Sequence, residues 1–319
     1  MATSTTDQDQ RGPSCRGAYP GAYRGPFQGP FRGWVPLVVL PVVVMGFTPS
    51  SWPRWALMWL LAIAIFAGCK WLTWRRVMSA TLHPVPWQRH VAYLLAWPGL
   101  DARSFIEADV PPRVPPSAFE WVDGWMRAVA GALLFFVLAP IADGHSALLG
   151  GWVAMIGVVV ALHFGLFSLI SSGWRAAGVA AAPLMRQPLR SQSLVEFWSR
   201  RWNTAFRDLT HRFLFQPLSN RLGSKGGLWA GFLFSGLVHD LVISYPAGGG
   251  YGGPTLYFAL QAAAISCERS RLGRRLGLGR GKGGWVFTMV MLTVPLPLLF
   301  HNPFVLNVAA PFMRGAGVW

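Results

Sequence analysis

The chain is short of charge, and most of what it has is of one sign. Only 13% of its 319 residues are Asp, Glu, Lys or Arg, against roughly 25% in soluble domains. With 53% hydrophobic and 14% aromatic residues, this excludes a water-soluble globular domain. Cysteine is scarce too: Cys15, Cys69 and Cys267 are scattered, which excludes a disulfide framework and a cysteine-based metal site. No metal and no resident cofactor are expected. The N-terminus also lacks a basic start followed by an apolar core and a cleavage site, so it does not read as a secretory signal peptide, and the first apolar segment is expected to stay as an anchor.

What is present is a series of apolar runs near the about 20 residues that a helix needs to cross a bilayer. Seven candidate spans fall at 35–48, 55–72, 125–142, 148–172, 228–245, 254–268 and 284–301. The expected fold is all-α: a polytopic membrane protein with about seven (six to nine) transmembrane helices plus interfacial or re-entrant helices. Pro36 and Pro41 in the first span, and Pro295 and Pro297 in the last, call for kinks. Residues 1–33, with the near-repeat "GAYPGAYRGPFQGPFRG", bury too little apolar area to offset ordering entropy. They are expected to form a disordered cytoplasmic tail ahead of one membrane domain, 34–319.

The basic residues test this layout. With the tail in the cytoplasm and all seven spans crossing, 26 of the 28 Lys and Arg residues fall on the cytoplasmic side, leaving Arg54 and Arg314 opposite. Sidedness thus accounts for most of the net charge of +16, and the partner it implies is a lipid bilayer, not nucleic acid. The Arg-, Ala- and Gly-rich bias points to a bacterial inner membrane; in a eukaryote the counterpart is the endoplasmic reticulum.

Two stretches carry chemistry. In "EFWSRRWNTAFRDLTHRFLFQPL" (196–218), Trp198, Trp202, Phe206, Leu209 and Phe213 recur at helical spacing. Arg200, Asn203 and Arg207 share another face, Glu196–Arg200 and Asp208–Arg212 are spaced as i,i+4 ion pairs, and Pro217 would end the helix. On spacing alone this equally describes an interfacial helix with its arginines at headgroups. In "FSGLVHDLVISY" (234–245), Ser235 and His239 lie on one face, with Gly231, Ser235 and Gly236 offering a small packing surface. An ionisable group at such depth marks a functional-site hypothesis by default. His163, in "VALHFGLF", is equally deep but has no polar neighbours in sequence. The loop "AGGGYGGPT" (247–255) lacks the Lys and Ser/Thr of a phosphate-binding loop and reads as a tight flexible turn.

Together the two stretches resemble the wax synthase branch of the membrane-bound O-acyltransferases, whose members carry Phe-Trp-Gly-Arg-Arg-Trp-Asn with an Asp a few residues on, and later Ser-Gly-Leu-Met-His-Glu in an apolar helix. Here they read "FWSRRWN" with Asp208, and "SGLVHD", with Ser199 for Gly and Asp240 for Glu. "YLLAWPGLDARSF" (93–105) adds a weaker likeness. The resemblance implies transfer of a fatty acyl group from acyl-CoA, as co-substrate, to the hydroxyl of a long-chain or other hydrophobic alcohol. It implies His239 as general base in an intramembrane tunnel and Asn203 as its catalytic partner. Arg200, Arg201 and Arg207, with Trp198 and Trp202, would contact acyl-CoA, while Asp240, Ser235 and Asp208 would support the site. Two readings from other classes remain: a proton-coupled transporter or channel using His163, His239 and Asp240, which would predict inverted repeats that the sequence does not show, and a non-catalytic membrane scaffold.

Overall fold

The computed structural model describes residues 33–107 and 114–317. The tail expected over 1–33 therefore lies, apart from Gly33, outside the described residues. Among these the secondary structure is helical, with no strand.

Nine helices carry the fold: α1 (Val35–Phe47), α2 (Arg54–Met78), α3 (Trp87–Ala96), α4 (Ala118–Asp143), α5 (Ala147–Ala176), α6 (Thr204–Ala247), α7 (Gly253–Glu268), α8 (Gly281–Leu299) and α9 (302–315). Every predicted span coincides with a helix, but among the described residues only five (α2, α4, α5, α6 and α8) are long and apolar enough to cross a membrane. The other two are short: α1 has 13 residues and α7 has 16. α1 runs helically through Pro41 and packs against α2, where Gly68 is so close to Leu37 that a Cβ would stand 2.5 Å from its Cα. α8 breaks at Val294 and Pro295 before its last turn, as its prolines require.

Small residues let the long helices approach closely. A Cβ on Gly131 of α4 would meet the Ala161 backbone of α5 at 2.3 Å, the packing mode that replaces hydrophobic driving force inside a bilayer. The segment between α2 and α4 is not a solvated linker. Tyr93, Trp97, Leu100, Ala102, Phe105 and Ile106 are buried in one core cluster with Cys69 of α2. Lys70, also buried, donates to the carbonyls of Tyr93 (2.7 Å) and Gly99 (2.6 Å) and lies over the Tyr93 ring. A buried amino group needs such hydrogen-bond partners, and here it ties α3 and the turn after it to α2.

The first motif departs from the expected single helix. A π-turn at Phe197–Arg201 closes with Trp202 N–H on the Phe197 carbonyl, and the chain then breaks at Asn203, whose φ is +39°. The apolar stripe from Trp198 to Phe213 is thus divided between two elements, and Arg200, Asn203 and Arg207 do not share one helical face. Pro217 ends nothing. A second π-turn, His211–Phe215, directly precedes it, and α6 continues to a break at Gly223 (φ +72°) before running on to His239. The widened turn supplies the slack that a proline ring needs.

Candidate functional site

His239 is part-buried near the end of the long straight part of α6. Its Nδ1 lies 2.7 Å from the Ser235 carbonyl oxygen. A carbonyl only accepts, so Nδ1 carries the proton, and the neutral ring then presents Nε2 as a bare acceptor. Ser235 thus acts through its backbone, one turn earlier on the same face. The ring leans on Phe258 of α7, with centroids 4.5 Å apart. α6 and α7 meet closely because a Cβ on Gly236 would stand 2.6 Å from the Thr255 Cα. Gly231, expected on the same packing surface, meets nothing within 4 Å.

Asp240 begins another π-turn, Asp240–Ser244, and reaches the start of the same helix, α7. Its Oδ1 accepts from Ser244 Oγ (2.8 Å) and Gly252 N–H (2.9 Å), and its Oδ2 accepts from the Thr255 N–H (3.1 Å) and hydroxyl. The carboxylate thereby caps the N-terminus of α7, where orphan N–H groups and the helix dipole favour negative charge. The Gly-rich loop that reads as a flexible turn is in fact pinned. Gly248, Gly250 and Gly252 have positive φ, and Gly250 sits so near the His301 ring that a Cβ would clash at 2.3 Å. His301 Nδ1 accepts from Phe304 N–H, so its Nε2 donates to Ser244 Oγ (3.1 Å), which passes its own proton towards Asp240. This His–Ser–Asp chain runs opposite to that of a nucleophilic serine, whose proton points at the histidine. It is a brace. Sequence reasoning missed His301; its signal was a histidine just past an apolar, proline-broken run.

α7 also positions the first motif. Trp198 packs on Phe258 (5.8 Å) and Phe232 (5.6 Å), and its Nε1 donates to Gln261 Oε1 at 3.4 Å. Ten residues beyond Phe258, Glu268 accepts from Leu194 N–H at 2.7 Å. The one helix α7 therefore touches both His239 and the segment leading into the motif, over roughly 15 Å of rise. Sequence reasoning also missed Phe258 and Gln261, although a lone Gln in the apolar 254–268 run was a legible clue. Trp202 makes no ring contact with Phe258 or His239: it stacks on Phe197 (5.5 Å) and lies parallel to His163 at 6.4 Å.

Asn203 is not hydrogen-bonded to His239. Its backbone N–H meets the Met185 sulfur at 3.2 Å, and its Oδ1 accepts from Phe206 N–H at 3.5 Å, capping the start of α6. That cap leaves the two amide donors on Nδ2 without a partner among the described residues. The motif arginines divide. Arg201 is held by Glu196 Oε1 (2.7 Å) and the carbonyls of Arg186 and Gln187, and Arg207 by Asp208 and the Ser199 carbonyl. The expected i,i+4 pairs, Glu196–Arg200 and Asp208–Arg212, are replaced because the π-turn advances the partner of Glu196 by one residue and Asp208 turns to its neighbour. Burial pushes the Glu196 carboxyl up, but the Gln192 N–H and the Arg201 guanidinium outweigh it and hold the group below the usual carboxylate range. Arg200 is exposed and forms no hydrogen bond or ion pair with a described residue.

Among the described residues, no three His, Cys, Asp or Glu side chains gather as ligands for a metal ion. The lone acceptor on His239, the amide of Asn203 and the aromatic floor of Trp198 and Phe258 all lie within residues 181–260, the stretch that matches the model of the Membrane bound O-acyl transferase family. The chain is 26% identical over 147 residues to the Arabidopsis thaliana protein named "Probable long-chain-alcohol O-fatty-acyltransferase 7", covering 41% of this chain and 42% of that one. It is 36% identical over 76 residues to "Probable long-chain-alcohol O-fatty-acyltransferase 1" of the same plant, covering 21% and 22%. The matches thus span less than half the length of these relatives. Motifs, family model and relatives agree: residues 181–260 of this integral membrane protein are similar to the membrane-bound O-acyltransferases, and the relatives that match are named as long-chain-alcohol O-fatty-acyltransferases.

Proposed function

We propose that the protein transfers a fatty acyl group from acyl-CoA to the hydroxyl of a long-chain or similarly hydrophobic alcohol, with His239 as general base. The observation that carries this reading is the hydrogen bond from Nδ1 to the Ser235 carbonyl, which fixes the ring in the form whose Nε2 accepts a proton. The alcohol O–H gives its proton to Nε2 as its oxygen forms a bond to the thioester carbonyl carbon. The tetrahedral intermediate collapses, the C–S bond breaks, and the proton on Nε2 goes to the departing thiolate, leaving ester and free CoA. No acyl-enzyme is required.

Asn203 is the proposed donor to the carbonyl oxygen as it gains charge. Its Oδ1 is committed to the helix cap, so the free Nδ2–H groups are what it offers. Arg200, exposed and without a hydrogen-bond or ion-pair partner among the described residues, is the motif arginine best placed for the CoA phosphates, whereas Arg201 and Arg207 shape the motif. Asp240 supports the site by fixing α7 against α6, which sets the Phe258 ring beneath His239. Trp198 reaches the same ring, while Trp202 stacks on Phe197 and His163. The acceptor class rests on the relatives' names, the donor on the family resemblance.

The test uses full-length protein in nanodiscs, supplied with palmitoyl-CoA and either hexadecanol or no alcohol. Ester and free thiol are expected in equal amounts with the alcohol, and little thiol without it. Thiol release that is indifferent to the alcohol would instead indicate a hydrolase, and no release with a range of alcohols would remove the acyltransferase reading.

A further inference from the structure

We infer that the turn between α7 and α8 holds the phosphate of an anionic phospholipid headgroup, in a groove lined by Arg271, Arg274, Arg275 and Arg280 alone. The groove has a volume of about 370 Å³. None of the four arginines pairs with a carboxylate among the described residues; Arg274 donates to the Arg269 carbonyl at 2.9 Å. The nearest acid in sequence, Glu268, is buried and already accepts from Leu194 N–H. Four guanidinium groups around one cavity repel each other, and a bound anion removes that repulsion. Their planar forks suit phosphate oxygens in particular.

Lipid is favoured over a soluble phosphate by two further features. Leu272 and Leu276, interleaved with the arginines, are each 63% exposed, which is unfavourable against water and favourable against acyl chains. The groove also sits between the end of one apolar helix, Glu268, and the start of another, Gly281, so its arginines lie where a membrane span gives way to its polar boundary. Headgroup phosphate above and hydrocarbon beside it are what a basic turn studded with leucines recognises. This inference does not depend on the proposed activity.

The test is native mass spectrometry of the full chain in detergent, titrated with phosphatidylglycerol or phosphatidylcholine, for the wild type and for the variant R271Q/R274Q/R275Q/R280Q. The wild type is expected to retain phosphatidylglycerol over phosphatidylcholine, and the variant to lose that preference by roughly fivefold per arginine removed. An Arg-to-Lys version of the same variant, which keeps the charge, guards against misfolding and should retain most of the preference. Excess inorganic phosphate and coenzyme A are added as competitors and should leave the lipid in place. Equal retention of both lipids, unchanged binding by the glutamine variant, or displacement by coenzyme A would each overturn the inference, the last by assigning the groove to a soluble phosphate ligand.

Discussion

Two histidines sit deep in apolar helices of this protein, and they are held in opposite ways. His239 has its Nδ1 bonded to a carbonyl one turn back, an aromatic floor from the neighbouring helix, and beside it in sequence a carboxylate that pins that helix. His163 has a buried Nδ1 with no hydrogen-bond partner among the described residues and lies flat beside Trp202, packed like an aromatic spacer. Depth in an apolar helix therefore does not distinguish the histidine proposed as base from the one packed as a filler. What separates them is whether one nitrogen is committed so that the other is poised.

Breaking the comparison at its functional end should give the largest effect. His239→Ala removes the acceptor, and ester formation should fall by about 10² to 10⁴, measured as coenzyme A release, with protein yield retained. Asn203 comes next, because it must be tested apart from its backbone. Its φ of +39° suits Asn or Gly, so Asn203→Gly keeps the turn and loses the amide. If the amide donates to the reacting carbonyl, Asn203→Gly and Asn203→Ala should both lose turnover by roughly 10²-fold. If Asn203 serves only the turn, Gly should work and Ala should not.

Asp240→Asn addresses the brace. It removes the charge from a group accepting four hydrogen bonds, and about 2 kcal/mol of stability should go with it, read as a lower thermal midpoint in detergent. His163→Phe should do almost nothing to turnover and leave stability equal or higher, since an unpartnered buried nitrogen is exchanged for an apolar ring of similar shape. The smallest effect concerns pH. Glu196 is held below the usual carboxylate range, so its clamp on Arg201 contributes above the unfolded value near 4.3 and is lost only as pH falls through the lower folded value. Motif order, followed by tryptophan fluorescence, should be flat from neutral pH down to about 5.

The sequence made the helices legible because apolar length is a strong signal. It placed all seven segments, although α1 and α7 proved shorter than a full crossing. The two motifs were legible through the resemblance, and the family match falls on both. What stayed hidden was local geometry. A π-turn leaves no mark in the hydrophobic period, so the split of the first motif at Trp202 and Asn203, and the switch of Glu196 from Arg200 to Arg201, could not be read in advance. Nor could the role of Asp240. Adjacent helical residues point about 100° apart, which correctly separated it from His239, but that its carboxylate caps α7 depends on a loop folding back across twelve residues.

The most direct test of the account is the tautomer of His239 itself, read by ¹⁵N solid-state NMR of histidine-labelled protein in bilayers, with its resonances identified by their loss in His239→Gln. At neutral pH the account predicts a neutral ring with protonated Nδ1 and unprotonated Nε2. A ring protonated at Nε2, or at both nitrogens, would contradict it.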